Sequence, residues 1–414
     1  MRILFVHHGS ARGGAPLSQI GLMAGLRDQG ATCIACVGSG DPEVIELFEK
    51  HDFEAHACAV PPFLHTTGDD YSPLRPRDWM RLTRWLAQRS ATDQRLGELV
   101  DRIRPDILHL NSIGLAPYAR VGQARGVHSV VHVREAVLPG MFGTRKRWLA
   151  KCLREDASGV IAICQDNLAR IGLTGPQVRV IYNPVSFEQF DFRMDKGEAR
   201  ESLGIPPDAK VVLFTGGRDT LIKGRDEYLR AMGIVRKRDA RLTCLTPNFD
   251  KRPTRKAPRN LKQRMAEVLG YYRRKEAELE RRIEASDLQD RIVRTGFAWD
   301  IERYLAASDV VCVLHTRPHF ARMVMESGAM KKPVVAFRIG GVEEVAHHER
   351  NALTVEPRDV EGVADAVVRL LGDDELCATL GAGGYEQASE LFEASVHTEN
   401  VRTFYGDVLG NSAD

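Results

Sequence analysis

The segment from residue 317 to residue 345 combines groups that could bind phosphate and sugar. A loop leads into a predicted helix that carries Glu326, and a buried strand over 333–337 and a Gly340-Gly341 turn follow. The first N–H groups of a helix can bind phosphate, and a carboxylate accepts hydrogen bonds from sugar hydroxyls. The spacing therefore predicts a site for a nucleotide-sugar.

Two cations lie upstream, in a second strand–loop–helix unit. The apolar strand 211–215 runs into Gly216-Gly217, and Arg218 and Lys223 follow, five positions apart. Cations at the carboxyl end of a strand can neutralise a buried diphosphate and stabilise it as a leaving group. The alternative is that both are solvated surface charges.

Polar residues also end two strands in the first half of the chain. His109 and Asn111 close one apolar run, and Arg134 and Glu135 close the next. Arg134 cannot accept a proton, but it can bind sugar hydroxyls or an acidic acceptor. The alternative is a structural pair between Arg134 and Glu135.

The first strand ends in a glycine-bearing loop. Gly13 and Gly14 precede Pro16, which suits the start of a helix. The loop lacks the G-x-G-x-x-G spacing of a dinucleotide site. By itself it indicates only a turn in which the backbone could approach a ligand.

Length and composition indicate an ordinary globular protein of two domains. The chain has 414 residues, 43% of them hydrophobic, and a formal net charge of +2, which gives no reason to expect nucleic acid. No apolar run approaches the length of a membrane span, and the N-terminal MRILFVHHGS reads as a strand and not as a signal peptide.

The eight cysteines are scattered, mostly in apolar strands, which favours reduced thiols and a cytoplasmic location. Cys33 and Cys36 form a C-x-x-C, but positions three apart on a strand point to opposite faces, so we expect core packing. The pairs His7-His8 and His347-His348 lack further ligands at metal spacing, and we expect no metal site.

Apolar strands alternate with amphipathic segments in two series. One runs from Ile3–His7 to Val178–Ile181, and the other from Val211–Thr215 to Leu353–Val355. Such alternation predicts α/β folding with two doubly wound parallel sheets. Helical segments over 360–372 and 376–409 follow the last strand.

One segment departs from this composition. Residues 251–275 carry ten Lys or Arg against one Glu, a charge of +9, which leaves 2 − 9 = −7 for the rest of the chain. Such a run is either a solvated surface or a patch that binds anionic lipid headgroups or an acidic glycan.

The motifs resemble those of the retaining GT-B glycosyltransferases of family 4, also called group 1. Glu326 matches the second Glu of the family's two-glutamate motif, while Pro318 stands at the first. The resemblance also covers Arg218, Lys223, the linker-like VRVIYNPVSFEQF and nearly the whole chain. It implies a GT-B fold of two Rossmann-like domains facing a central cleft, and retaining sugar transfer without a metal or an enzymic nucleophile.

The resemblance implies the following domains: an N-terminal acceptor domain (1–184), a linker (185–207), a donor domain (208–390) and a C-terminal helix packing back on the first domain (391–414). It assigns the diphosphate to Arg218 and Lys223 as catalytic residues. It implies donor binding by Gly13, Gly14, Phe297, Ala298, Phe320, Ala321, Arg322, Met323 and Glu326. With Pro318 in place of the first Glu, sugar recognition falls to His319 or to the backbone N–H groups of 320–323.

The sequence thus predicts a hexosyltransferase that uses a nucleotide-sugar, UDP favoured over GDP-mannose, and a glycan, lipid-linked or small-molecule acceptor. We expect no cofactor and a cytoplasmic protein, peripheral at the inner membrane face if 251–275 binds lipid. His109, Asn111, Arg134, Glu135 and His319 are candidates for sugar or acceptor contacts. The alternatives are a GT-B nucleotide-sugar epimerase and a non-catalytic binding subunit.

Overall fold

A computed structural model describes residues 1–9, 14–64, 71–217, 221–249 and 271–410 of the protein. The chain divides into two compact units. Unit 1 comprises Met1–Pro184 with Leu391–Asp414, and unit 2 comprises Val185–Glu390. Each unit is built on one parallel sheet, so the prediction of two doubly wound, Rossmann-like domains is confirmed.

The strands of unit 1 are short and rich in Val, Ile and Leu. They are β1 (Arg2–His7), β2 (Thr32–Val37), β3 (Ala55–Ala57), β4 (Ile107–Leu110), β5 (His128–Val133), β6 (Gly159–Ala162) and β7 (Val178–Val180). The sheet order is β3-β2-β1-β4-β5-β6-β7. The order reverses between β1 and β4, and a crevice for ligands forms at the carboxyl ends of strands at such a point.

Helices cover both faces of this sheet. They are α1 (Gly14–Asp28), α2 (Pro42–Glu49), α3 (Pro76–Ile103), α4 (Ala119–Gln123), α5 (Thr144–Glu155) and α6 (Gln165–Ile171). Cys33 lies in the apolar cluster on one face and Cys36 in the cluster on the other, and both thiols are free. The C-x-x-C is therefore core packing, as predicted.

Unit 2 repeats the architecture with six strands. They are β8 (Lys210–Phe214), β9 (Leu242–Pro247), β10 (Ile292–Thr295), β11 (Val310–Val313), β12 (Val334–Phe337) and β13 (Ala352–Val355). The order β10-β9-β8-β11-β12-β13 reverses between β8 and β11. The loops after these two strands are therefore where a ligand is expected.

The helices of unit 2 alternate with its strands. They are α7 (Lys196–Ser202), α8 (Arg225–Arg238), α9 (Tyr271–Ala285), α10 (Ile301–Ala307), α11 (Arg322–Ala329), α12 (Val360–Gly372) and α13 (Asp374–Leu391). Residues 250–270, which hold most of the basic segment, lie outside the described residues. Tyr271–Lys275, its last part, form the first turn of α9.

The segment predicted as a linker contains α7, which is anchored to the core of unit 2. Asp309, just before β11, holds Lys196 at 2.5 Å and Arg200 at 2.9 Å, and it accepts a hydrogen bond of 2.7 Å from the N–H of Val211. Although burial opposes ionisation, these donors lower the pKa of Asp309. The carboxylate is a structural cap that fastens α7 to β8.

We expect Asp309→Asn to destabilise the protein by about 2 kcal/mol, because it leaves the buried Arg200 without its charged partner. Thermal unfolding followed by circular dichroism measures the change. Asp208→Asn, at an exposed position two residues before β8, is the matched control and should change little. Equal melting temperatures for the Asp309 variant and the wild type would contradict the structural assignment.

The last helix, α14 (Ala394–Gly410), belongs to unit 1. Val401, Phe404 and Tyr405 pack on the same face of the sheet as α1. None of the helices in the described residues has the length and apolarity needed to cross a membrane.

Candidate functional site

The loops after β8 and β11 touch each other at the carboxyl edge of the unit 2 sheet. The N–H of Thr316 donates to the carbonyl oxygen of Ile222 over 2.9 Å. Gly224 has φ +81°, and a Cβ there would lie 1.9 Å from the carbonyl oxygen of Leu314. Only glycine permits this approach, and it brings Lys223 beside the loop that leads into α11.

Lys223 ends a short 3₁₀ turn and is half-buried. Burial lowers the pKa of its ammonium group, and the charge of Glu326 opposes that shift. An ammonium that has lost part of its hydration attracts an anionic ligand more strongly than a solvated one does.

Helix α11 begins at the end of the same loop. Phe320 and Ala321 are buried and fix its start, and the N-cap residue, Ala321, has no polar side chain with which to cap the first turn. Arg322 and Met323 form the first turn and are half-buried. The first N–H groups of a helix carry a partial positive charge, so this end of α11 suits a phosphate.

Glu326 lies one turn further along α11 and is 6% exposed. Its Oε1 lies 2.6 Å from Nε of Arg322. Burial raises the pKa of Glu326, while the charges of Arg322 and Lys223 lower it. These three residues, which we name the Lys223 cluster, place two cations and one anion where the loops after β8 and β11 meet.

Two histidines in the loop between β11 and α11 extend this cluster. The rings of His315 and His319 stack with centroids 4.6 Å apart and planes inclined by 26°. His315 is 7% exposed, and within the described residues neither of its ring nitrogens has a hydrogen-bond partner. Sequence reasoning named His319 and missed His315, although a polar residue right after a buried strand was an available signal.

Phe297 and Ala298 follow β10, at the same edge of the sheet but on its outermost strand. Phe297 is 49% exposed and Trp299 is 54% exposed, and their rings meet edge to face at 4.9 Å. Two strand spacings of about 4.8 Å separate β10 from β8. The pair is thus available for stacking near the Lys223 cluster, and base binding here stays a prediction.

In unit 1, Arg134 and Asn111 meet in a polar network at the carboxyl ends of β4 and β5. Arg134 donates to the side-chain oxygen of Asn111, to Oδ1 of Asn183 at 2.8 Å and to Oγ of Ser18 at 3.2 Å. Glu135 accepts from the N–H of Ile113 over 3.2 Å. The guanidinium thereby ties the first helix, two strands and the segment after β7 together, and its predicted ligand contact stays a prediction.

His109 lies inside unit 1 and not at the edge with Asn111. It is fully buried, and its Nδ1 lies 2.6 Å from the hydroxyl of Tyr405 on α14. Alternate residues of a strand point to opposite faces, and His109 points to the face that α14 covers. Its predicted sugar or acceptor contact stays a prediction that the observed burial does not favour.

Three predicted residues remain, namely Gly13, Gly14 and Arg218. Gly14 begins α1. Gly13 and Arg218 lie outside the described residues. Their predicted roles at the donor phosphates stay predictions.

Comparison with known families covers both units. Residues 13–185 match the family model described as a glycosyl transferase 4-like domain, and residues 209–373 match that described as glycosyl transferases group 1. The chain belongs to the group 1 glycosyltransferases. The Lys223 cluster of this group 1 glycosyltransferase lies within the second matched segment.

Two curated relatives share short matches with it. The D-inositol 3-phosphate glycosyltransferase of Saccharomonospora viridis is 30% identical over 231 residues, which are 55% of this chain and 49% of the relative. The N-acetyl-alpha-D-glucosaminyl L-malate synthase of Bacillus anthracis is 31% identical over 122 residues, 30% of this chain and 32% of the relative. The match thus spans at most about half of the length of these relatives.

The fold is shared over nearly the whole chain with HepE of Anabaena. The HepE structure in complex with UDP has a TM-score of 0.77 and 20% identity, covering 98% of this chain and 100% of the other. The HepE structure with UDP-glucose has a TM-score of 0.75 at the same identity and coverage. At this identity the likeness shows a GT-B fold.

No group of three or more His, Cys, Asp or Glu side chains could share a metal ion in the part of the chain that the structure describes. Metal independence of this group 1 glycosyltransferase stays a prediction.

Proposed function

We propose that the protein transfers a hexose from a UDP-sugar to an acceptor hydroxyl, with retention at the anomeric carbon and without a metal ion. The observation that carries the proposal is the Lys223 cluster at the strand-order reversal of unit 2. There Lys223 and Arg322, at the start of α11, lie beside Glu326, which is ion-paired to Arg322 and whose charge favours the protonated form of Lys223.

The cluster suits a diphosphate because its charges match one. Charge-assisted hydrogen bonds from Lys and Arg to phosphate are among the strongest in proteins. Because the same cations stabilise the negative charge that grows on the leaving UDP, they accelerate bond cleavage as well as donor binding. Glu326 compensates part of their charge and orients Arg322 by its ion pair.

UDP is proposed as the nucleotide because HepE, which shares the fold, was crystallised with UDP and with UDP-glucose. An exposed aromatic pair, Phe297 and Trp299, could stack on its base. The acceptor is proposed to be a glycan, a lipid-linked glycan or a small molecule. For a lipid-linked acceptor, we propose in addition that residues 251–275 attach the protein to the membrane.

Retention is proposed because the leaving phosphate lies on the face of the sugar where it could accept the proton of the acceptor hydroxyl. Glu326 is ion-paired to Arg322, so it is poorly placed to act as a nucleophile or as a base. In the proposed step the anomeric C–O bond to UDP breaks and its electron pair goes to the β-phosphate. The acceptor oxygen bonds the same face of the anomeric carbon, and its proton passes to the leaving phosphate.

Hydrolysis of UDP-glucose in the presence of a chelator tests this proposal without knowledge of the acceptor. Water replaces the acceptor, and early NMR spectra should show α-glucose, since the donor is α-configured. The β anomer would overturn retention, and loss of activity in chelator that added metal restores would overturn metal independence. An epimeric UDP-sugar with no free sugar would identify an epimerase.

A further inference from the structure

The imidazole ring of His315 is buried, and neither of its nitrogens has a hydrogen-bond partner among the described residues. Its 7% exposure excludes free hydration of the ring, and the loop that holds it is fixed by the Thr316–Ile222 hydrogen bond. Buried polar groups in native proteins nearly always have a partner, so an orphan next to a ligand crevice indicates a missing ligand group. His319 stacks on this ring and fixes its plane.

The ring lies close to Lys223, which is proposed to bind the diphosphate. Burial depresses the pKa of His315, and the nearby charges of His319 and Lys223 depress it further. His315 is therefore neutral at physiological pH. A neutral imidazole offers one donor and one acceptor, whereas phosphate oxygens only accept.

We propose that His315, with His319 stacked on it, binds hydroxyl groups of the donor sugar, and that it contributes to sugar recognition without contributing to nucleotide binding. A hydroxyl both donates and accepts, so it matches the neutral ring. Pro318, between the two histidines, supplies no polar side-chain atom for this purpose. The inference rests on the proposed function, because it places the sugar beside the diphosphate at Lys223.

A metal ion does not fit this pair. The two histidines have no third His, Cys, Asp or Glu close enough to complete a site among the described residues. Phosphate would favour a protonated ring, and the charge of Lys223 opposes protonation of His315. An uncharged hydroxyl remains the ligand that matches the pair.

The test is calorimetric titration of wild type and His315→Leu with UDP and with UDP-glucose. We expect the Kd for UDP to stay within about twofold and the Kd for UDP-glucose to rise by about tenfold, as loss of a hydrogen bond to a buried hydroxyl predicts. His315→Gln, which keeps a donor and an acceptor, should recover part of the loss. The same titrations with His347→Leu, at a half-buried histidine beyond β12, give the matched control.

Thermal unfolding separates this role from a structural one. Removing an unsatisfied buried polar group should leave the melting temperature of His315→Leu unchanged or raise it. A clear drop in melting temperature, equal weakening of UDP and UDP-glucose, or no change in either Kd would overturn the inference. Wild type that binds UDP but not UDP-glucose, UDP-N-acetylglucosamine or UDP-galactose would overturn the proposed donor as well.

Discussion

Replacing Lys223 by methionine is expected to lower kcat/KM for UDP-glucose by about 10²–10³-fold. Methionine keeps the length and apolar character of the side chain, so the fold should persist, but the charge that faces the leaving diphosphate is gone. Loss of one preorganised group that stabilises transition-state charge typically has an effect of this size. Because the charge grows as the bond breaks, most of the loss should fall on kcat.

Initial rates of UDP-glucose hydrolysis and the Kd for UDP measure the two contributions separately. We expect the Kd for UDP to rise by about tenfold to a hundredfold, as for a lost charge-assisted hydrogen bond. Lys237→Met, at an exposed position on α8, is the matched control and should leave both quantities near wild type. If Lys223→Met hydrolysed UDP-glucose at the wild-type rate, the Lys223 cluster would not be the catalytic site.

Acid should unfold unit 1 between pH 6.5 and pH 4, because its core holds histidines that are neutral when folded. Burial lowers the pKa of His7 and of His397 from 6.5 to about 4, and the charge of Arg134 contributes to both shifts. The pKa values of His109 and His132 are also held well below the usual range by burial and by Arg134.

Proton uptake determines whether the stability of unit 1 rises or falls with pH. Between pH 6.5 and pH 4 the unfolded chain binds protons that the folded chain excludes, so stability is intact above pH 6.5 and falls as the pH drops. A pKa that falls from 6.5 to about 4 on folding lowers the free energy of unfolding by about 3 kcal/mol per histidine at pH 4. At pH 4, His7 and His397 together therefore lower the free energy of unfolding by about 6 kcal/mol. This loss is comparable to the whole stability of a domain.

Urea unfolding at pH 7 and at pH 4.5, followed by tryptophan fluorescence, measures this loss. Trp79, Trp85 and Trp148 lie in unit 1 and only Trp299 lies in unit 2, so the signal reports mainly on unit 1. In His397→Gln the amide can replace the contact between Nδ1 and the carbonyl oxygen of Tyr182, and the stability should depend less on pH by about 2–3 kcal/mol. His51→Gln, at an exposed histidine, should keep the wild-type dependence, and an equal dependence in all three proteins would refute the explanation.

The sheets were predictable because buried parallel strands consist of short apolar runs, which can be read directly from the sequence. All strands of unit 2 and all but one of unit 1 follow Val, Ile and Leu runs that the sequence shows. The exception is Ala55–Ala57, a three-residue edge strand with a half-buried histidine, whose pattern is too short and too polar to stand out. The segment predicted as one helix over 376–409 is two helices, because Leu391 and Ala394 belong to helices that pack in different units.

Sequence by itself determined which residues follow the central strands, and so placed Lys223, Glu326 and Asn111 at the carboxyl edges. That inference needs only strand order and parallel direction, which alternating strands and helices impose. It could not decide which way each side chain points or how well it is hydrated. His109 lies in the core under α14, and His315 is an unsatisfied ring beside Lys223. Those outcomes depend on packing between elements far apart in the chain, and burial and hydrogen bonding exist only once that packing has formed.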